Sequence, residues 1–365
     1  MAEISREDQP KGDWELGSPD RSAQCTLAVA GERWTLGGGP VHRKGLCRGL
    51  VAFASLALLA GAPMLCPAAS VTPGDILVAD PIDHGVIAVD PVTGSQTVFS
   101  QPGLYGPVDV AVSKTGKIFV ADQYSGVREL DPRTGAVTTL SVGADFEPLR
   151  VTVAPSGDAV VLNNSPGIGN SQTIEEINAT TGKRSTLGII TIPNDSPSIA
   201  DIAMSPSGEV FFSQPNFSEI DALDPVSDTV RLVATGILGI AGLAFDSQGN
   251  LFATTRSGGL CCGTVLRIDP RTGAHSLVTS LTTNLLMASE FLATTRSGSI
   301  VVSDFSASAV IAVDPSTGAQ TTVTSGDLLN LNAGIAVYAP EPGASILLTA
   351  GALAAALIWR YSAAL

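Results

Sequence analysis

"ILVADPIDHGVIAVDPVTGSQTVFS", residues 76–100, recurs along the chain. Near copies are "IFVADQYSGVRELDPRTGAVTTLS" (118–141) and "IVVSDFSASAVIAVDPSTGAQTTVTS" (300–325). Three looser copies begin at Val160, Val210 and Leu251. The residue matching Asp80 is Asp122, Asn164, Gln214, Thr255 and Asp304 in turn, at steps of 42, 42, 50, 41 and 49. A period of about 40–50 residues holding four short β segments marks a propeller blade.

Each unit parses alike. An Ala-rich inner strand a precedes a Ser-x-x-Gly type turn. Strand b follows ("IFVAD"), then strand c ("VIAVD"), an Asp-Pro-x-Thr-Gly turn, and strand d with alternating Thr and Val. β-branched alternation between regular turn signals suits pleated strands. In the turn, Pro presets φ, Gly takes a positive φ, and the Asp oxygen accepts local backbone N–H groups. The turn recurs at 90–94, 131–135, 269–273 and 314–318; 178–182 is looser, and 224–228 lacks the Gly. Its aspartates are therefore read as turn formers, not ligands.

Strands b, c and d occur six times, but strand a precedes units two to six alone, beginning near residues 108, 149, 200, 241 and 289. The sixth inner strand is "AGIAVY", 333–338, at the far end. Donating it to the first blade closes the ring and removes exposed sheet edges. The sequence thus predicts an all-β, six-bladed β-propeller over 71–339, closed by the C-terminal strand. An N-terminal signal helix and a C-terminal hydrophobic helix are expected to flank it.

The 365-residue chain carries a formal charge of -14, with aromatic residues at 5 %. An acidic surface repels phosphate backbones, so no nucleic-acid partner is expected. Five cysteines form neither a disulfide framework nor a zinc spacing.

Both ends read as addresses. In 41–70, His42, Arg43, Lys44 and Arg48 precede an apolar run from Gly49 to Leu65, then Ala68, Ala69 and Ser70. That is the three-part pattern of a signal peptide, the substrate of signal peptidase. Residues 1–40 hold seven acidic and four basic residues and no periodic apolar face. They read as a mis-called start, with Val41 as a GTG start codon, or as an extended leader.

At the other end, Pro340-Glu341-Pro342 precedes sixteen uncharged residues, Ala344 to Trp359, and then Arg360. As a helix this run spans roughly 24 Å, short of the ~30 Å hydrocarbon core. Residues 340–365 resemble the PEP-CTERM sorting signal of Gram-negative bacteria, though the basic cluster is reduced to Arg360. The resemblance implies export, passage through the inner membrane by the terminal helix alone, and processing by an exosortase. The destination would be the cell surface or medium of a bacterium that makes exopolysaccharide. The repeats resemble NHL and YVTN propellers, and more loosely the gluconolactonase-like and virginiamycin B lyase families. Blade-building residues specify fold, not activity.

In propellers the b–c and d–a loops gather at the channel mouth. Here the long ones are 164–172, 190–198, 255–263 and 280–288. Unequal loops on one rim are where binding sites are grafted. Aligning the inner strands gives one column: Asp109, Arg150, Asp201, Gly242, Glu290 and Gly334. Asp109, Asp201 and Glu290 are the candidate metal ligands, since clustered carboxylates need a neutralising charge and oxygen donors select Ca²⁺ or Mg²⁺. Arg150 is a candidate ligand-binding residue in the same column, or else pairs with one carboxylate in a wet channel. A second column, Asp80, Asp122, Asn164 and Asp304, reads as ligand-binding or as turn-capping. His84, the one histidine expected on the rim, is a further ligand-binding candidate and the one rim residue that could serve as a lyase base; no G-x-S-x-G motif occurs. Cys261 and Cys262 could close a strained vicinal disulfide in an oxidising compartment, or stay as thiols or bridge two molecules.

Three readings follow. One is a secreted or cell-surface propeller that binds polysaccharide, a small molecule or a cation, or acts as a scaffold. Another is a divalent-metal-dependent hydrolase, lactonase or lyase using the mouth carboxylates. A structural export passenger without a ligand is a third.

Overall fold

The computed structural model describes residues 70–100, 102–164, 171–191, 199–256, 263–280, 289–304, 307–329 and 333–341, and two short strands near the N-terminus. The two strands, β1 (Leu27–Val29) and β2 (Glu32–Trp34), pair antiparallel as a unit of their own. The expected signal helix and C-terminal helix lie outside the described residues. No helix occurs among the described residues.

The repeats fold as six four-stranded antiparallel sheets. Blade 1 holds β3 (Ile76–Asp80), β4 (Gly85–Val89) and β5 (Gln96–Val98). Blade 2 is β6 (Pro107–Val112), β7 (Ile118–Asp122), β8 (Gly126–Leu130) and β9 (Val137–Ser141). Blade 3 is β10 (Pro148–Val153), β11 (Ala159–Asn163), β12 (Ser171–Ile177) and β13 (Arg184–Thr191). Blade 4 is β14 (Asp201–Met204), β15 (Val210–Gln214), β16 (Glu219–Asp224) and β17 (Thr229–Thr235). Blade 5 is β18 (Ile240–Phe245), β19 (Leu251–Thr255), β20 (Thr264–Ile268) and β21 (His275–Ser280). Blade 6 is β22 (Ser289–Thr294), β23 (Ile300–Asp304), β24 (Ala309–Val313) and β25 (Gln320–Ser325).

The last strand, β26 (Ile335–Val337), joins blade 1, with Ile335 opposite Val78 and Val337 opposite Ile76. Sheet order in that blade is β26-β3-β4-β5, the closure expected from the sequence. Backbone bonds extend the seal: Ala79 N–H donates to Gly334 O at 2.9 Å, and Tyr338 N–H to Asp75 O at 2.8 Å.

Burial follows position in the blade. Strands b are buried at all five residues in β3, β7, β11, β19 and β23, because each face meets a neighbouring blade. Alternate side chains then feed alternate seams. Ile118 and Val120 pack with blade 1, while Phe119 and Ala121 pack with blade 3. Six apolar clusters result among the described residues, one per seam, including the seam of blades 6 and 1. The core is a ring of interfaces, and burial of apolar side chains there supplies the main drive to close the disc.

The c–d turns form as read. Asp90, Asp131, Asp269 and Asp314 each accept the N–H groups two and three residues on through Oδ1. Their glycines carry a second duty. A Cβ on Gly135 (φ +64°) would collide with the Phe99 carbonyl oxygen of blade 1, and one on Gly182 (φ +67°) with the Leu140 carbonyl of blade 2. The turn of each such blade thus lies directly on the outer strand of the blade before it. In blade 4 the position is Asp228, at φ 52°.

Candidate functional site

The inner strands begin on the face where b–c and d–a loops meet. Each of β6, β10, β18 and β22 carries a register shift at its start. Beyond the shift, Asp109 faces Ala121, Arg150 faces Leu162, and Phe291 faces Ser303; Asp201 faces Ser213 in the unshifted β14. The axial column is therefore Asp109, Arg150, Asp201, Gly242, Phe291 and Gly334. Glu290 falls on the residue skipped by the irregularity, one place earlier, and its side chain lies outside the described residues. The column place expected for Glu290 holds Phe291.

The two aspartates are buried, 5 % and 6 % exposed. Each spans a seam. Asp109 Oδ1 accepts the Val110 N–H of its own strand at 2.8 Å, and Oδ2 accepts the Val151 N–H of blade 3 at 2.8 Å. Asp201 repeats this with Ile202 N–H at 2.9 Å and the Leu243 N–H of blade 5 at 2.8 Å. Gly334 is needed beside them, because a Cβ there would overlap Asp109 Oδ1.

Arg150 stands between the aspartates in ring order. Its Nε donates to Ala200 O at 2.6 Å and its Nη1 to Leu149 O at 2.6 Å; Nε is 3.9 Å from Asp201 Oδ1. The guanidinium lies over the Phe291 ring, 4.7 Å from its centre. Blades 3 and 6 are diametrically opposed, so this cation–π contact bridges the axis. An axial cavity of about 250 Å³ is lined by the inner strands from Asp109 and Asp201 down to Val112, Met204 and Thr294.

Desolvation governs the acidity of the pair. Burial raises Asp109 to about 6 against the opposing pull of Arg150 and two backbone N–H groups. Burial raises Asp201 further, to about 8, with the Asp109 charge adding to it. One guanidinium cannot balance two desolvated carboxylates, so a proton is retained near neutrality. The donors present do not suit a divalent cation. Both carboxylates are turned onto backbone N–H groups and a fixed positive charge sits beside them. Among the described residues no three His, Cys, Asp or Glu side chains gather as ion ligands.

The strand-b column proves to be a set of loop clamps. Asp122 is fully buried, its Oδ2 accepting Tyr105 N–H at 2.7 Å and its Oδ1 accepting Gly106 N–H at 3.0 Å and Tyr124 N–H at 3.3 Å. Asp80 Oδ1 accepts Ile82 and Asp83 N–H, and Asp304 Oδ1 accepts Ala307 N–H. In blade 3 the register assigns this place to Asn163, whose Oδ1 accepts Glu147 N–H at 2.8 Å. Asn164 stands one residue on and faces the rim, its Nδ2 donating to Glu147 Oε2 at 3.1 Å. His84 is an exposed turn residue at φ 53°, matched by Ser218 (58°) and Ser308 (47°) in blades 4 and 6. Cys261 and Cys262 lie outside the described residues.

The rim holds residues the sequence reading passed over. Tyr105 is 61 % exposed and Tyr124 is 75 % exposed, both in loops held by Asp122. Gln123 Nε2 donates to Glu147 Oε1 at 2.6 Å across the seam of blades 2 and 3. The available signal was that two of the chain's four tyrosines fall in adjacent mouth loops.

No protein-family model matches the chain, and no curated protein matches it by sequence. Solved structures do match in fold. A virginiamycin B lyase from Staphylococcus aureus aligns over 70 % of this chain and 82 % of its own at 14 % identity and TM-score 0.50. A chain of a nidogen/laminin complex aligns over 72 % and 98 % at 15 % identity and TM-score 0.58. A putative 6-phosphogluconolactonase from Bacteroides fragilis aligns over 74 % and 99 % at 12 % identity and TM-score 0.50. At these identities the likeness is one of architecture, shared by proteins of unlike activity. What the chain has in common with them is the β-propeller fold, which in this chain has six blades.

Proposed function

We propose that the protein is an exported, surface-associated propeller that binds an extracellular polymer through the rim of its mouth face. The observation carrying this reading is the use made of Asp109 and Asp201. Their oxygens bind backbone N–H groups across seams. The axial aspartates, which the metal-dependent reading would make its reactive groups, are thereby engaged in holding blades together. Binding then falls to the loops, as is usual for a rigid scaffold. The signal-like segment 41–70 and the Pro340-Glu341-Pro342 motif support export, signal peptidase and exosortase processing, and an exopolysaccharide setting.

The test is fractionation of the full chain carrying an internal epitope tag, followed by retention on exopolysaccharide from the producing cells. Surface or medium location with retention is expected. Confinement to the cytosol, or passage through the polysaccharide without delay, would overturn the reading.

A further inference from the structure

We infer that the seam of blades 2 and 3 carries a binding subsite for a neutral glycan, with Tyr124 and Tyr105 as the stacking platform. The inference rests on the surface-binding reading above and names its ligand class. Tyr124 is supported on one side and open on the other. A Cβ on Gly106 would lie 2.6 Å from Tyr124 Cδ2 and 2.8 Å from Cε2, so the ring lies against the bare Gly106 backbone. Three-quarters of the residue is nonetheless exposed. Tyr105, directly before that glycine, is also largely exposed. Tyrosine offers an apolar face with a polar end and few rotamers to freeze.

The platform is built in advance. Asp122 holds the backbone N–H groups of Tyr105, Gly106 and Tyr124, so one buried carboxylate fixes both aromatic loops. Gln123 N–H donates to Gly106 O at 2.9 Å and ties the loops to each other. Such preorganisation lowers the ordering cost of binding.

Gln123, the chain neighbour of Tyr124, belongs to a polar trio. Glu147 accepts Gln123 Nε2 through one oxygen and Asn164 Nδ2 through the other. Among the described residues, neither half-buried amide has a further partner for its carbonyl oxygen or its second N–H hydrogen, a donor–acceptor set suited to vicinal hydroxyls. An exposed aromatic ring and planar amides on the same pair of blades suit a pyranose, which presents C–H groups on one face and hydroxyls around its edge. Charge selects within that class. The Glu147 carboxylate and a chain of net charge -14 oppose a uronate or sulfate polymer.

Affinity gel electrophoresis of the full chain through glucan, mannan and alginate tests this. Retardation by glucan or mannan is expected, with affinity lost by about tenfold or more in Tyr124→Ala and Tyr105→Ala. Gly106→Ala keeps both rings but displaces Tyr124, and is expected to weaken binding likewise. Thermal melts confirm that the variants fold. Retardation by a neutral glycan that all three variants retain would overturn the subsite and leave the surface-binding reading standing. Retardation by alginate alone, or by no glycan while an extracellular protein is bound, would overturn the ligand class. Failure of the fractionation test would remove the parent reading independently.

Discussion

The Asp109 carboxylate of blade 2 accepts the Val151 backbone N–H of blade 3 at 2.8 Å, and both groups are buried. A side chain thus performs across a seam what backbone ladders perform within a blade. Asp201 and Leu243 repeat the arrangement between blades 4 and 5.

Removing either clasp leaves two buried N–H groups without acceptors. Asp201→Ala is expected to lower unfolding free energy by roughly 3 kcal/mol, and Asp201→Asn by less, since one acceptor oxygen survives. Urea titration of each variant provides the measurement. An unchanged midpoint for Asp201→Ala would show that the clasp is dispensable.

These carboxylates also give an unusual pH dependence. In the unfolded chain an aspartate titrates near 3.9. Burial raises Asp109 to about 6 and Asp201 to about 8, so between these limits the folded state binds more protons than the unfolded one. Stability from the pair is therefore full below about pH 4 and declines as pH rises to about 8. The exposed turn carboxylates act oppositely. Asp90, Asp224 and Asp269 are held below the usual range chiefly by the N–H groups of Val92, Val226 and Arg271, and Asp314 chiefly by the Ser316 hydroxyl. Their contribution is present above about pH 4 and lost as pH falls further. Maximum stability is expected in mild acid, with urea midpoints falling from pH 5 to pH 8. Asp201→Asn should flatten that fall, and Arg150→Met should extend it to higher pH by removing the opposing charge. A midpoint that rises over this range would contradict the assignment.

The turn glycines separate two causes of glycine preference. Gly157 has φ +91° with nothing near its missing Cβ, whereas Gly135 has φ +64° and lies against the Phe99 carbonyl. Gly157→Ala is expected to cost about 1 kcal/mol, the backbone term alone. Gly135→Ala should cost more than about 3 kcal/mol, because blade 1 must move. Asp228→Gly, which relieves a positive φ, should gain about 0.5–1 kcal/mol. Equal melting points for the two alanine variants would refute the seam role.

Closure makes its own prediction. Truncation after residue 332 removes β26 and leaves β3 with an unpaired edge beside the axis. Loss of a cooperative melt, or aggregation, is expected. Truncation after residue 341 should leave the melt intact. A full-length-like melt for the shorter chain would mean that the ring holds without its donated strand.

Blade number, blade boundaries and the donated strand were legible because the repeat places apolar residues and Asp-Pro-x-Thr-Gly turns at fixed offsets. Each of those offsets corresponds to a local requirement of sheet pairing or turn geometry. The site was legible only in part. Asp109, Arg150 and Asp201 come together as aligned, but β22 opens at Ser289 as β6 opens at Pro107 and β10 at Pro148, two residues before the column, so the place read as Glu290 belongs to Phe291. No residue type marks where β22 opens, so its count runs one residue short. Asn163 and Asn164 slipped for a simpler reason: two identical neighbours cannot be told apart by type. The aspartates read as mouth carboxylates turned out buried, since hydrogen bonding to another blade's backbone depends on three-dimensional closure. The tyrosines of the rim carry no repeat at all, which is how a grafted surface feature differs from a blade-building one.

The donated strand also sets polarity. After β26 the chain reaches the a–b turn of blade 2, where Glu341 N–H donates to Lys114 O at 2.7 Å. That turn lies on the side of the disc away from Tyr105 and Tyr124. A tether continuing from residue 341 would therefore hold the disc by its back, leaving the tyrosine loops pointed outward and unobstructed by whatever secures the other end.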